Sequence, residues 1–338
     1  MLDASAALSQ RLNAKTLWQD LVRPLRRTYA NLRIGRAMAV SRFDLFFRRN
    51  SPRHGLSCTL VVSLTSHPPR FPTLALTLRC LLCQSVRPDR IILWIAYKDE
   101  DKLPREVLAL QRYGLEIRTT RDIGPFTKII PALQAFAEAV IVTADDDQYY
   151  WRTWLEEIAC AWSGSTHEIV CHRANGIALD SDGRPRPYSD WPKGIASAGR
   201  SVGVLPTGVG GVMYPPQSLS PRVFDSATFM KLCPRADDIW LYWMARLAGS
   251  EFRLTGRGRR PCMWRNSQKV ALYHDNVLEN GNDPQIAAMI DEFGWPPGSH
   301  ASDKPVRPSG DRTLVRLTSD SRGANPDPLG STEISPAN

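Results

Sequence analysis

Apolar and polar positions follow one another in a regular order through the first half of the chain. Short β-branched runs typical of buried strands alternate with stretches of helical spacing. The strands are predicted at residues 58–64, 90–96, 116–119 and 139–144, and the helices at 71–84, 104–113 and 127–138. Strands joined by helices are typical of a parallel sheet with right-handed crossovers. The pattern therefore predicts an α/β fold with a mainly parallel central sheet.

The second half of the chain is less regular and richer in Gly, Pro and aromatic residues. A helix is predicted at 151–162, a strand at 168–173 and a further helix from Asp237 to Gly249. Between them lie a long loop that contains Trp191 and a segment, 206–216, with three close glycines. Glycines this close let backbone approach a ligand. We interpret the segment as a β-hairpin beside a ligand-binding site that includes Trp191, Gly210 and Gly211.

The composition is that of an ordinary globular protein, with 43% hydrophobic and 23% charged residues. We find no secretory signal and no apolar run of the roughly 18 to 20 residues that a membrane-spanning helix needs. The seven cysteines are scattered, which favours a reducing, cytoplasmic location. Cys80 and Cys83 form a CxxC inside a helical apolar pattern, and we interpret them as structural.

Most of the net charge of +9 lies in the first 55 residues, which hold eleven Lys or Arg against three Asp. Because the rest of the chain is nearly neutral, a nucleic-acid partner is not expected. Basic and apolar positions interleave at helical spacing, so residues 1–50 could bind an anionic membrane surface or pack on the domain. We therefore divide the chain into a basic helical segment, 1–55, a catalytic domain, 56–298, and a disordered tail, 299–338.

Three consecutive carboxylates, Asp145, Asp146 and Asp147, end the fourth predicted strand. Like charges packed this closely repel one another and require compensation. Ligands of open α/β sheets bind beyond the carboxyl ends of the strands, which is where this triplet falls. Hard cations such as Mg²⁺ or Mn²⁺ take carboxylate ligands and are often shared with a substrate phosphate. The triplet therefore predicts a divalent cation at this end of the sheet.

Two later polar clusters are further candidates for the site. Asp237 and Asp238 precede an aromatic helix, where one carboxylate is expected to cap the first turn. His274 belongs to the last polar cluster of the domain. The first strand is followed by neither GxGxxG nor GxxxxGK[ST], which argues against a dinucleotide site and a P-loop.

In their order, these motifs resemble those of bacterial GT-A-type glycosyltransferases, which use nucleotide-sugar donors. The resemblance covers residues 57–295 and rests on an acidic triplet like the DxD motif, on Gly124-Pro125-Phe126-Thr127-Lys128 before it, and on the glycine-rich segment and Ala236-Asp237-Asp238-Ile239-Trp240-Leu241 after it. The second strand ends in Ala96-Tyr97-Lys98-Asp99 instead of the Asp-Asp-Gly-Ser that is usual where these enzymes recognise the base.

The resemblance implies a role for each matched residue. The metal ligands would be Asp145, Asp147 and His274, with Asp145 also reaching the ribose, and the general base would be Asp238 or its neighbour Asp237. The nucleotide would be bound by Thr65, Ser66, Arg70, Lys128, Asp145 and Asp146. The acceptor would lie at Trp191, Gly210 and Gly211. The implied reaction is metal-dependent transfer of a sugar to a glycan or lipid-linked acceptor, with inversion of the anomeric centre. We expect the enzyme in the cytoplasm, either free or attached to the inner face of the cell membrane through the basic segment.

Two other functions share features with this prediction. A sugar-1-phosphate nucleotidyltransferase has the same kind of sheet and metal but would carry a glycine-rich loop after the first strand, where residues 65–70 contain no glycine. A non-catalytic carbohydrate- or membrane-binding scaffold would be expected to lack the metal ligands or the base.

Overall fold

The computed structural model describes residues 32, 34–40, 51–195, 199–265, 267 and 281–296. In the first half, strands and helices alternate as the sequence pattern predicts. The strands are β1 (Leu60–Thr65), β2 (Arg90–Ala96), β3 (Leu115–Thr120) and β4 (Val140–Thr143). The intervening α-helices are α1 (Phe71–Leu82), α2 (Arg105–Leu108) and α3 (Ile130–Ala135), the last two joined to 3-10 turns at Ala109–Tyr113 and Gly124–Lys128.

The second half contributes the remaining elements. The strands are β5 (Glu168–Cys171), β6 (Ala174–Gly176), β7 (Gly199–Ser201), β8 (Val204–Pro206), β9 (Val212–Tyr214) and β10 (Glu251–Leu254). The helices are α4 (Trp154–Ala161), α5 (Ser226–Leu232), α6 (Asp237–Leu247) and α7 (Asn282–Phe293).

Eight strands form one central sheet in the order β3-β2-β1-β4-β9-β5-β10-β7. β1 to β4 pair in parallel, β5 and β10 run in the same direction, and β9 and β7 run against them. The predicted fold class, a mainly parallel α/β sheet flanked by helices, is confirmed. Because parallel strands carry their ligands beyond their carboxyl ends, this topology places the candidate site along one edge of the sheet.

Both faces of the sheet are covered. Leu60, Val62 and Leu64 of β1 pack in the cluster that contains α1, whereas Val61 packs on the opposite face with Ile141 of β4. All five side chains are at most 1% exposed. Strands buried on both faces need apolar residues at every position, which explains why these strands are continuous apolar runs.

The glycine-rich segment does not form the expected hairpin. β8, which precedes it, pairs with β6 in a separate two-stranded sheet, and β9, which follows it, inserts between β4 and β5. Val212, Met213 and Tyr214 are all buried. An apolar strand is more stable between two other strands of the central sheet than in an exposed hairpin, because all of its apolar side chains are then removed from water.

Part of the basic N-terminal segment packs on the domain. Residues 34–40 are helical, and Ile34, Ala37 and Met38 contact the same cluster as α1, whereas Arg36 is exposed. This short stretch therefore packs on the domain, and the prediction for residues 1–31, 33 and 41–50 lies outside the described residues. No helix among the described residues has the length and hydropathy needed to cross a membrane. The predicted boundary at 298 and the predicted disordered tail also lie outside the described residues.

Candidate active site

A pocket of about 760 Å³ opens at the carboxyl edge of the central sheet. It brings together residues that are far apart in sequence, from β1 to α6. The sequence-predicted site residues that line it are Thr65, Ser66, Arg70, Lys128, Asp145, Asp146, Asp147, Asp237 and Asp238. The structure thus assembles nine of the thirteen predicted site residues around one cavity.

Neighbouring elements hold the acidic turn after β4 in place through its backbone. The Asp145 N–H donates to the Tyr150 hydroxyl at 2.7 Å, and the Asp146 carbonyl accepts from Thr77 Oγ1 of α1 at 2.9 Å. The Asp147 carbonyl accepts from the Trp264 N–H at 2.9 Å. With its backbone fixed at three points, the turn can present its carboxylates to the pocket without reorganising.

Each of the three carboxylates of this turn has a separate polar partner. Asp145 Oδ1 lies 3.0 Å from Lys128 Nζ, and Asp146 Oδ2 accepts from the Ser66 hydroxyl at 2.5 Å. Asp147 forms a buried ion pair with Arg70. Burial and the neighbouring Asp147 carboxylate raise the pKa of Asp146 to about 7. The role of Asp147 as a metal ligand stays a prediction, because its carboxylate is paired with Arg70 in the structure.

Lys128 connects the two halves of the site. Its Nζ lies 3.0 Å from Asp145 Oδ1 after β4 and 3.0 Å from Asp237 Oδ2 at the start of α6. Its backbone carbonyl accepts from Ser63 Oγ of β1 at 2.5 Å. Burial lowers the pKa of Lys128, but the surrounding carboxylates outweigh burial and raise it well above the usual value. The ammonium group is therefore permanently charged and offsets part of the negative charge of the pocket.

Asp238 differs from its neighbour because it has no ion-pair partner among the described residues. Its Oδ1 accepts from the Gly208 N–H at 2.9 Å. Burial and the adjacent Asp237 carboxylate raise the pKa of Asp238 to about 8, against the opposing effects of Lys128 and the Gly208 N–H. A carboxylate with a raised pKa and no counter-ion is a stronger base than an ordinary aspartate.

Asp237 does not cap α6 as the sequence suggested. The N-cap residue is Ala236, which makes no side-chain capping bond, and Asp237 is the first helical residue. Its carboxylate is used by the buried Lys128 instead. A buried ammonium group leaves a large desolvation cost unless it is paired, so the ion pair takes precedence over a cap worth about 1 kcal/mol.

Three predicted acceptor-site residues lie away from the pocket wall. Trp191 is 2% exposed and donates its indole N–H to the Arg186 carbonyl at 2.9 Å. The Gly210 carbonyl accepts from Trp154 Nε1 at 2.6 Å, and a Cβ at Gly211 would lie 2.6 Å from Trp154 Cζ2. These positions serve packing in the structure. His274, predicted as a metal ligand, lies outside the described residues.

Sequence reasoning missed the glycine that contributes most to the site. A Cβ at Gly208 would lie 2.9 Å from Lys128 Nζ, 3.3 Å from Asp238 Oδ1 and 3.5 Å from Asp145 Oδ1. Its position as the first of three glycines was visible, but only the fold shows which of the three meets the charged groups. The other unpredicted pocket residues include Lys98, Asp99, Asp122, Arg173, Asn175, Tyr188, Lys193, Arg235 and Asn282.

The acidic side chains fit a cation only in combination with a ligand. In the part of the chain that the structure describes, no three His, Cys, Asp or Glu side chains converge to form a complete metal cage. Mg²⁺ is commonly held by one or two carboxylates together with substrate phosphates. Asp145 and Asp146 line the pocket and supply a partial set of that kind. The residues thus fit a cation that a phosphate ligand shares.

The end of β2 departs from the glycosyltransferase pattern, and the structure shows what occupies it. Lys98 Nζ lies 2.6 Å from Asp122 Oδ2, and Lys102 Nζ lies 2.7 Å from Asp99 Oδ1. Lys98, Asp99 and Asp122 all line the pocket. Lys98, Asp99 and Asp122 thus occupy the place where the Asp-Asp-Gly-Ser segment of glycosyltransferases would contact the nucleobase.

Comparison with known proteins leaves the family open. No protein-family model matches the chain, and no curated protein matches it in sequence. Two solved structures with similar folds are a CMP:2-keto-3-deoxy-manno-octonic acid synthetase complexed with CTP and a 4-diphosphocytidyl-2C-methyl-D-erythritol synthase from Anaerococcus prevotii.

Both similarities are distant. The synthetase is 13% identical over 58% of this chain and 88% of its own, with a TM-score of 0.34, and the synthase is 13% identical over 68% and 96%, with a TM-score of 0.38. Similarity this low carries no argument about activity. The functional conclusion therefore depends on the geometry of the pocket.

Proposed function

We propose that this protein is a glycosyltransferase that moves a sugar from a nucleotide-sugar donor to an acceptor hydroxyl. One observation carries the proposal: a single pocket places the acidic turn after β4 and the α6 carboxylates on opposite sides of the buried Lys128, at 3.0 Å from Asp145 and 3.0 Å from Asp237. One side suits a cation and a diphosphate, and the other suits an acceptor. Glycosyl transfer needs both in adjacent positions.

Asp238 is the proposed general base. A hydroxyl group attacks the anomeric carbon more readily when a carboxylate accepts its proton in the transition state. The new bond forms between the acceptor oxygen and the anomeric carbon as the bond to the donor phosphate breaks, and the nucleoside diphosphate leaves with the electron pair. Direct attack from the opposite face inverts the anomeric centre. Asp238 fits this role better than Asp237, whose carboxylate is engaged by Lys128.

Lys128 and the acidic turn are the proposed leaving-group side. The departing diphosphate gains negative charge, which the fixed ammonium group of Lys128 stabilises without reorganising. Asp145 and Asp146 would hold a divalent cation, which supplies further charge stabilisation when bound. Arg70 is buried against Asp147, so its role is to hold the turn and offset its charge.

The test combines a donor panel with one isosteric variant. Purified protein is incubated with nucleotide sugars and Mn²⁺, and donor hydrolysis and transfer to simple acceptors are measured. In Asp238→Asn, which keeps size and shape, we expect turnover to fall about 10²- to 10⁴-fold while nucleotide affinity is retained. Asp291→Asn, an exposed position on α7, is the matched control. Turnover of Asp238→Asn within a few-fold of wild type, or retention of the anomeric configuration, would contradict the assignment.

A sugar-1-phosphate nucleotidyltransferase is the competing function, and CTP is the ligand of one of the two solved structures with similar folds. The loop after β1 bears on it: Pro68–Arg70 forms a 3-10 turn, and Arg70 points inward to Asp147. A triphosphate would have to be bound without that arginine. Incubation with CTP or UTP and a panel of sugar 1-phosphates, followed by measurement of released pyrophosphate, distinguishes the two functions.

A further inference from the structure

The charged side chains of the pocket are paired differently in its two halves. In the half built from β1 to β4, each Lys or Arg that lines the pocket has a carboxylate partner within ion-pair distance, namely Arg70 with Asp147, Lys98 with Asp122 and Lys128 with Asp145. The wall formed by residues after β5 is different. Its polar and charged residues are Arg173, Asn175, Tyr188, Lys193, Thr207, Arg235, Asn282 and, at the start of α6, Asp237 and Asp238.

Arg173 and Lys193 of this wall have no ion-pair partner among the described residues, although both line the pocket. Arg173 Nη1 donates to Thr207 Oγ1 at 2.9 Å, and a Cβ at Gly194 would lie 3.2 Å from Arg173 Nε. The guanidinium group is therefore fixed between Thr207 and the Gly194 backbone. It retains N–H groups that can form a bidentate pair with a carboxylate or phosphate.

Lys193 lies next to Gly194 in the chain, and its side chain packs on an aromatic ring. Its Nζ lies 3.3 Å from the centroid of the Tyr188 ring and donates to the Tyr188 carbonyl. Tyr188 is itself held by Asn175, whose Nδ2 donates to the tyrosine hydroxyl at 2.7 Å. Burial and the nearby Arg173 lower the pKa of Lys193 to about 8, against the opposing charge of Asp283. Two like charges held near one another would be relieved by an anion between them.

The sheet sets the distance between these cations and the diphosphate side. Ser63, Thr143, Val212 and Cys171 lie in one row across β1, β4, β9 and β5. At a spacing of about 4.8 Å per strand, the residues after β5 lie roughly 10 Å from those after β4 and roughly 14 Å from those after β1. Arg173, two residues after β5, therefore comes from a part of the sheet that β9 separates from the acidic turn after β4. This places the Arg173 backbone on the side of the pocket that we assign to the acceptor.

We infer that the acceptor is anionic: a sugar whose carboxylate or phosphate group binds between Arg173 and Lys193. The acceptor hydroxyl then lies towards Asp238, and the anionic group anchors the sugar at the far wall. Asn282 at the start of α7 is 6% exposed, and its Oδ1 has no hydrogen-bond partner among the described residues, so it can accept from a hydroxyl of the same sugar. That this sugar is the acceptor rests on the proposed glycosyl transfer, whereas the binding of an anion at this subsite does not.

The test compares matched sugars that differ only in charge. Binding of methyl glucuronide against methyl glucoside, and of glucose 6-phosphate against glucose, is measured by calorimetry with the full-length chain. We expect the anionic member of at least one pair to bind ten-fold or more tightly, and that preference to weaken with added salt. The pair that shows it distinguishes a carboxylate from a phosphate.

Variants connect the preference to the two cations. Arg173→Gln and, separately, Lys193→Gln should each reduce the preference for the charged sugar at least several-fold, whereas Arg186→Gln should not. Arg186 lies on the same loop, pairs with Asp190 at 2.8 Å and does not line the pocket. Lys193 is exposed, so its replacement tests the subsite even where Arg173→Gln fails to fold. Equal binding of charged and neutral sugars, or an equal loss in Arg186→Gln, would overturn the inference.

Nucleotide-sugar hydrolysis, measured on the same samples without acceptor, separates the two proposals. Hydrolysis with no charge preference among sugars overturns the anion subsite and leaves glycosyl transfer standing. Charge preference that depends on Arg173, with no activity on any nucleotide sugar, supports the subsite and removes glycosyl transfer.

Discussion

Glycine at position 208 is required by the charged groups around it and not by its backbone conformation. A methyl group in Gly208→Ala would lie 2.9 Å from Lys128 Nζ and 3.3 Å from Asp238 Oδ1. We expect turnover to fall about ten-fold or more, because these two groups must move from their positions. The measurement is kcat for donor turnover together with the melting temperature.

Gly203→Ala is the matched control for Gly208→Ala. The nearest atom to its Cβ is Ser201 Oγ at 3.8 Å, and neither glycine has a positive φ. If Gly203→Ala reduces turnover as much as Gly208→Ala does, crowding at the charged groups is not the reason for the loss.

The ion pair between Arg70 and Asp147 makes a stability prediction that is separate from catalysis. Both side chains are at most 8% exposed. Asp147→Asn leaves a buried guanidinium group without its counter-charge, which typically costs about 3–5 kcal/mol. We expect a large decrease in the free energy of unfolding, measured by denaturant titration. The double variant Arg70→Met/Asp147→Leu should recover most of the lost free energy of unfolding. A double variant as unstable as Asp147→Asn would contradict this account.

The raised pKa of Asp238 predicts a pH dependence. The group acts as a base only when ionised, and its pKa of about 8 means that the active form is lost as the pH falls below that value. We expect kcat/KM to rise between about pH 6.5 and 8.5 and then level off. Nucleotide affinity measured over the same range separates this effect from the ionisation of Asp146, whose pKa of about 7 falls within it. A profile that is flat through this range would show that a different group accepts the proton.

At the scale of elements, the insertion of β9 depends on how closely Gly211 approaches α4. Gly211 has a φ of +92°, and its Cβ would lie 2.6 Å from Trp154 Cζ2. Gly211→Ala therefore combines backbone strain with a collision in the core. We expect it to destabilise the fold by about 2–4 kcal/mol, measured by chemical denaturation.

Gly164→Ala isolates the backbone part of this cost. Gly164 has a nearly identical φ of +90°, but no atom lies within 4 Å of its Cβ. We expect it to cost about 1 kcal/mol. Equal destabilisation by the two substitutions would mean that contact with Trp154 adds nothing.

Prediction from sequence succeeded for the elements whose signal is local. The strand at Arg90–Ala96 was placed with correct bounds, and α1 was predicted to begin at Phe71 as it does. Both are apolar runs with clear breaks at their ends. The hairpin at the glycine-rich segment was wrong because pairing partners are not encoded locally: Val212 lies 69 residues from its hydrogen-bonding partner Thr143.

For the candidate site, too, prediction succeeded for residues in local motifs and failed for residues whose place depends on tertiary packing. Lys128, Asp145 and Asp238 were found from motifs, and the structure brings them to one pocket. Arg173 and Lys193 were missed because each is a single basic residue with no motif around it, Arg173 at the end of a predicted strand and Lys193 in an irregular stretch. Trp191 was predicted at the acceptor side from its place in a long loop, but its ring is buried in the core. Whether an isolated polar residue faces a cavity depends on tertiary packing alone.

At the scale of the whole molecule, the basic N-terminal segment carries most of the net positive charge. Packing of residues 34–40 on the domain does not involve Arg36, which is exposed. We propose that the remaining basic residues bind an anionic membrane, where each contributes on the order of 1 kcal/mol. The full-length chain should float with anionic liposomes and a chain beginning at Ser51 should not.

Removing the first 50 residues also removes the packed stretch, so a second comparison is needed. The variant Arg26→Gln/Arg27→Gln keeps the packed stretch and reduces the charge, and it should float less than wild type. Neutral liposomes are the control for non-specific adsorption. Should the full-length and shortened chains float alike, the segment has no role in membrane binding.

The central position of β9 also has a consequence for synthesis of the chain. β4 is an interior strand only after Val212–Tyr214 has paired with it, and the first of those residues leaves the ribosome 69 positions later than its partner Thr143. Through that interval β4, whose four residues are all buried in the finished fold, has an unpaired apolar edge that can pair with other chains. A fragment that ends before Tyr214 keeps this edge permanently. Nascent chains stalled in this region are therefore the form of the protein most prone to aggregate and most in need of a chaperone.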